Sequence, residues 1–295
     1  MEPLELGTYD WLSRLYISWD TIIHGGIPNR SRQVVDDRLL LVTINESDIE
    51  ALGSYPISDA TLAMLLQKLS AHRPAVIGLD VFRDLPVPPG TSQLSSVMAN
   101  TPDLVGINKI IGETVPPPPS LTQSQKVGFS DLILDTDGKV RRALISHPDQ
   151  SGELQFSLAT KLALQYLEQR GITPETHPPS SKVTLGDVPI LPLQKRGGGY
   201  HHASAGGYQV MVRFRGGLND FDRLSVTQVL AGEFKPSLIR DRIVLIGVTA
   251  ASINDGFNTS YGQMRQGQPR LVPGIVIHAN IISQLLAAGL AGKPM

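Results

Sequence analysis

Residues 37–80, DRLLLVTINESDIEALGSYPISDATLAMLLQKLSAHRPAVIGLD, decide the reading of this chain. Leu39 to Ile44 is a short apolar run bounded by charge, which suits a buried strand, and Asn45 and Glu46 close it. Ser58 and Asp59 can cap a helix whose Leu62, Leu65, Leu66 and Leu69 share one face, and Pro74 stops it. Ala75 to Leu79 then returns as a second apolar strand. Such a β-α-β unit predicts two parallel, neighbouring strands joined by a right-handed crossover.

The alternation continues downstream. The Pro-rich loop Leu85 to Gly90 leads to a helix around Leu94 to Ala99 and a third strand near Leu104 to Ile107. Pro116 to Pro119 is an extended loop, since proline cannot donate to a ladder. Asp137-Gly138, between Phe129 to Leu134 and Val140 to Ile145, predicts a tight antiparallel hairpin with Arg141 and Arg142 on opposite faces of its second strand. Phe156 to Gln169 reads as a helix, and Lys182 to Leu185 with Val188 to Leu191 as hairpin-like pieces. Arg196 to Gly207, RGGGYHHASAGG, is a Gly-rich loop before an alternating strand Tyr208 to Arg215. Ser225 caps a short helix, Arg242 to Gly247 is a further apolar strand, and a buried or amphipathic helix fills Gly274 to Gly292. Upstream, Trp11, Leu12, Leu15, Trp19, Ile22 and Ile23 recur at helical spacing before Gly25-Gly26. The expected fold is α/β, a mixed, largely parallel central sheet flanked by helices, with an antiparallel hairpin region.

With 41% hydrophobic and 18% charged residues, a packed core is expected. A net charge of -1 supplies no field for phosphate backbones, so nucleic acid is not an expected partner. No cysteine is present, which excludes disulfides, thiolate nucleophiles and Cys-ligated zinc. There is no P-loop, no G-x-S-x-G elbow and no H-E-x-x-H pair. Asp135-Thr136-Asp137-Gly138 opens like a calcium loop, but Val140 and Ser146 stand where the central Gly and the bidentate Glu belong. His201 and His202 are adjacent and would point to opposite faces of a strand.

In open parallel sheets, ligands bind outside the carboxyl ends of strands. The residues leaving the apolar strands here are Glu46, Asp80 and Arg83, then Thr249, Ser252 and Asp255, with His278 able to approach from the last helix. Carboxylates, one Arg and one imidazole could hold a divalent cation, a sugar or an amine. Helix capping and loop hydrogen bonding are the competing explanation. Asp80 stands out, because a carboxylate straight after a buried strand needs a partner, for which Arg83 and Arg142 are candidates.

The blocks DRLLLVTINESDI, YPISDATLAMLLQKLSAHRPAVIGLDVFRDLPVPPG, VGFSDLILDTDGKVRRALI, RIVLIGVTAASINDGFNTSY and VPGIVIHANIISQLLAAGLAGKP together resemble the second type of CHASE domain over nearly the whole chain. One departure is Thr259-Ser260-Tyr261 where the family pattern has Thr-Pro-Tyr. The resemblance implies the periplasmic sensory domain of a bacterial, cyanobacterial-like receptor at the inner membrane, with flanking transmembrane helices and a cytoplasmic histidine kinase, nucleotide cyclase or Ser/Thr kinase outside this chain. It implies one sensory domain: a membrane-proximal helix over 1–26, an α/β core over 27–273 and a second membrane-proximal helix over 274–295. It also implies a homodimer whose terminal helices carry the signal. The family motif positions Glu46, Asp80, Arg83, Asp137, Arg141, Arg142, Thr249, Asp255 and His278 overlap the strand-end set. No metal, catalytic residue or cofactor is assigned, and the ligand is a small molecule or a periplasmic protein. The alternatives are a module that docks a periplasmic partner, and a carboxylate-based hydrolase.

Overall fold

The computed structural model describes Gly7, Thr8, Asp10 and residues 35–122, 125–177, 182–193, 206–262, 264–265, 268–269 and 271–293. The amphipathic segment over Leu4 to Ile23, apart from those three residues, and His201 with His202 lie outside the described residues.

Six parallel strands form the main sheet, β1 (Leu39–Ile44), β2 (Val76–Asp80), β3 (Leu104–Asn108), β4 (Val127–Phe129), β12 (Asp222–Ser225) and β13 (Ile243–Val248), in the order β12-β1-β13-β2-β3-β4. β1 and β2 are parallel but not neighbours: β13 lies between them, in register Thr43↔Gly247 and Gly247↔Asp80. The sequence of β13, IVLIGV, explains the correction. It is buried at every position, like β1, and such a strand is stable only where both edges are paired and both faces covered.

Alternate residues of these strands feed two cores. Leu39, Leu41, Val76, Ile243 and Leu245 face one side; Leu40, Val42, Ile44, Ile77, Val244 and Ile246 face the other. The second face is covered by α2 (Asp59–Ala71) and α3 (Thr91–Asn100), with α5 (Val226–Ala231) beside α2. Ser58 and Ser225 cap α2 and α5 as expected. A helix not expected from the sequence, α1 (Glu46–Leu52), leaves β1 through an Asn45–Asp48 capping box.

The first face carries α4 (Leu158–Glu168) and α6 (Gly274–Ala291), packed on each other, and beyond them a second sheet. Its order is β11 (Tyr208–Met211), β6 (Lys139–Pro148), β14 (Gly256–Thr259) and β17 (Val272–Pro273), with β5 (Ile133–Leu134) and β7 (Leu154–Phe156) also on β6. The Asp137-Gly138 turn joins β5 to β6 as read, with Gly138 at φ 75°. The run Phe129 to Leu134, expected as one strand, is split between the sheets. A separate antiparallel sheet holds β8 (Pro174–His177), β9 (Lys182–Leu185) and β10 (Val188–Ile190).

α6 is apolar and long enough to cross a membrane, with mean hydropathy 1.6, yet 83% of it is buried inside this fold. Its polar residues explain how. Asn280 accepts from the N–H groups of Arg215 and Gly216 and donates to Gly216 O; Gln284 accepts from Arg213 N–H and donates to Met211 O. The strand expected over Tyr208 to Arg215 therefore pairs with β6 only as far as Met211, with Val212 N–H still bonded to Arg141 O. From Arg213 onward helix side chains take over its backbone groups.

Candidate functional site

The carboxyl edge of the main sheet gathers three titratable groups from distant parts of the chain. Asp80 ends β2, level with Gly247 of β13. Gly247 has no side chain, and a Cβ there would lie 3.0 Å from Ile275 Cβ, so this glycine lets the first turn of α6 settle on the sheet. The register Gly256↔Pro273 between β14 and β17 sets Asp255 against the start of the same helix, where its carbonyl accepts from Gly274 N–H at 3.1 Å. Both Asp255 carboxylate oxygens lie 3.1 Å from where a Cβ on Gly274 would be. His278, one turn into α6, points Nε2 at Asp80 Oδ2 from 3.9 Å.

That separation is too long for a hydrogen bond. His278 Nδ1 has no partner either. Among the described residues no hydrogen-bond donor reaches the Asp80 carboxylate, although the Asp80 and His278 side chains are only 10% and 3% exposed. Burial pushes Asp80 up to about 7. Burial, with the Asp80 charge adding to it, raises Asp255 to about 7, opposed by His278 and the Gly274 N–H. Burial lowers His278 to about 4, against the attraction of Asp255. Near neutral pH the edge therefore holds a neutral imidazole beside two carboxyl groups poised to exchange protons. Tyr55, on the loop before α2, feels both carboxylates and Arg83, and burial raises its hydroxyl first of all.

The other nominated residues have structural partners. Arg83 does not pair with Asp80. It donates to Phe82 O and Ile57 O at 2.9 and 2.8 Å and lies 3.6 Å from Asp59 Oδ1, anchoring the turn before α2. Arg142 likewise turns away, to Asp135 at 2.7 Å and Gln209 at 2.7 Å. Glu46 accepts from the N–H and hydroxyl of Ser252 and ties α1 to the loop that carries Asp255. Thr249 contributes its backbone N–H to Ile44 O at the same edge. Asp80, Asp255 and His278 are thus brought together, while Glu46 and Thr249 frame their loop and Arg83 braces the neighbouring turn.

A second charged centre had a visible component in Asp137, Arg141 and Arg142, but its decisive partner was not among the nominated residues. The Arg141 side chain is buried and spends all five N–H groups on Asp10, Asp135 and Asp137; Lys139 also reaches Asp10 at 2.6 Å. Arg141 and Arg142, adjacent on β6, both bond Asp135. An open groove of about 350 Å³ between Asn108–Ile110, Thr114–Pro116 and Asp149–Ser151 contains none of the strand-end residues. No group of three or more His, Asp or Glu suited to a metal ion occurs among the described residues.

Comparison with protein-family models matches the CHASE2 domain over residues 1–295, the whole chain. Comparisons with curated proteins and with solved structures give no match.

Proposed function

The chain belongs to the CHASE2 domain family, an extracellular sensory family of signalling receptors, and from that premise we propose that it reads a periplasmic signal at the Asp80–Asp255–His278 edge. The observation that carries this reading is an under-bonded polar cluster at the N-terminal end of α6. Buried polar groups in a stable fold are otherwise hydrogen-bonded, and those left without partners mark places where a ligand or proton completes the set. The signal passes through the terminal segments of the chain to a kinase or nucleotide cyclase elsewhere in a longer, membrane-anchored receptor. Two copies of the domain form the unit whose arrangement changes.

Thermal-shift screening of the purified chain against divalent ions, sugars and amino acids, with and without EDTA, tests the site. A ligand at 100 times its Kd adds about 2.7 kcal/mol, and that gain disappears in Asp80→Ala and His278→Ala. A flat response across the screen turns the assignment towards docking of a periplasmic protein. Because the chain has no cysteine, a single Leu290→Cys substitution in the purified chain reports the dimer by crosslinking.

A further inference from the structure

The unmet hydrogen-bonding capacity at this edge has a definite chemistry. Asp80 and Asp255 offer acceptors, and His278 adds a buried imidazole whose Nδ1 has no partner and whose Nε2 faces Asp80 across 3.9 Å. A gap of 3.9 Å is the base of a triangle: an atom about 2.9 Å from both groups would hydrogen-bond to each, and it must carry a proton to donate to the Asp80 carboxylate. The nearby guanidinium, Arg83, is committed to Ile57 O, Phe82 O and Asp59. Tyr55 adds a hydroxyl within electrostatic reach of both carboxylates.

Resting on the reading of this edge as the sensory site, we propose that it accommodates a primary ammonium group, whose N–H donors go to Asp80 and His278 while Asp255 supplies a second negative charge beside them. A quaternary ammonium carries the charge but no donor, so it does not complete the set. Among the described residues no three His, Asp or Glu side chains are placed to ligate one metal ion. The ammonium enters in place of the proton that the carboxyl pair holds, so binding releases a proton to buffer.

Calorimetric titration of the whole chain with methylammonium, and with tetramethylammonium as the donor-free control, tests this in two buffers of different ionisation enthalpy. The expected result is binding of methylammonium alone, with proton release, and an affinity that rises by up to about tenfold per pH unit below about pH 7. Asp255→Asn, which is isosteric with the protonated acid and should fold, and His278→Gln each weaken it by about tenfold or more. Equal binding of tetramethylammonium overturns the proposal, since charge alone would explain it. A sugar or divalent ion that stabilises the wild type but not Asp255→Asn, with methylammonium inert, overturns the ammonium assignment and leaves the sensory site standing. If methylammonium is inert and Asp255→Asn changes no ligand response at all, both fall.

Discussion

The guanidinium of Arg141 grips both carboxylate oxygens of Asp10, Nε to Oδ1 at 2.7 Å and Nη2 to Oδ2 at 3.0 Å, across 131 positions of sequence. Arg141→Met would leave buried Asp10 and Asp135 with only Lys139 and Arg142 as cationic partners, and removal of one partner from a buried ion pair costs about 3–5 kcal/mol. Asp10→Asn keeps a hydrogen-bond acceptor and should cost less, about 1–3 kcal/mol. Urea unfolding of the two variants gives the order directly, and a neutral Arg141→Met would show that the network is dispensable.

The cluster at the sheet edge and the Arg141 centre impose opposite pH dependences. Burial works against the charged form of Asp10, but hydrogen bonds from Arg141 and Lys139 outweigh it and hold its pKa below 3.8, so its stabilisation is present above that value and lost in acid. Asp80 and Asp255, raised to about 7, keep protons that the unfolded chain releases from 3.8 upward, so their contribution falls between those values and is flat above. His278, lowered to about 4 from 6.5, works the other way over its own interval, one group against two. Asp255→Asn should therefore stabilise the chain by about 1–3 kcal/mol at pH 8, with little gain at pH 4. Denaturant midpoints at the two pH values decide it; equal gains at both would remove the ionisation argument.

Glu46 is tied through Ser252 to the loop that carries Asp255. Its exposed contact with Ser252 contributes little to global stability, so Glu46→Ala should lower the unfolding free energy by less than about 1 kcal/mol. Amide exchange across Thr249–Asp255 should nevertheless accelerate while that of β13 stays unchanged. Acceleration spread over the whole main sheet would refute a local tether.

Asn280 is fully buried, and Asn280→Ala leaves the N–H groups of Arg215 and Gly216 and the carbonyl of Gly216 without its side chain. A loss of about 2–4 kcal/mol is expected from several unsatisfied groups at once. Chemical denaturation measures it, and a loss under about 0.5 kcal/mol would mean that water replaces the side chain.

The strand-and-helix alternation and the 137–138 turn were legible because apolar period and turn chemistry are local. The placing of Asp80 and Asp255 at one edge follows from the rule that polar groups leaving parallel strands meet there, whereas His278 reaches that edge from a helix. The position of β13 was not legible, because chain order does not set spatial order in a sheet. Nor was the partner of Arg83: Asp59 looked like a simple helix-start residue, and its Oδ2 does serve Val87 N–H and Thr91 Oγ1. Asp10 carried no signal at all, since a single carboxylate on an amphipathic segment gives no period that points to its partner.

The bonds from Asn280 and Gln284 to the backbone of residues 211–216 oppose sliding of the helix past that segment. Sliding α6 by one residue, about 1.5 Å, would shear those bonds together. α6 and that segment are thereby fastened together as one unit of the fold. That segment continues into β11, which is laddered to β6 through Val210↔Ala143 and Met211↔Arg142, beside the arginine that grips Asp10. An unbroken series of bonded contacts thus links the start of α6 to Asp10, 264 positions earlier in the chain than Gly274.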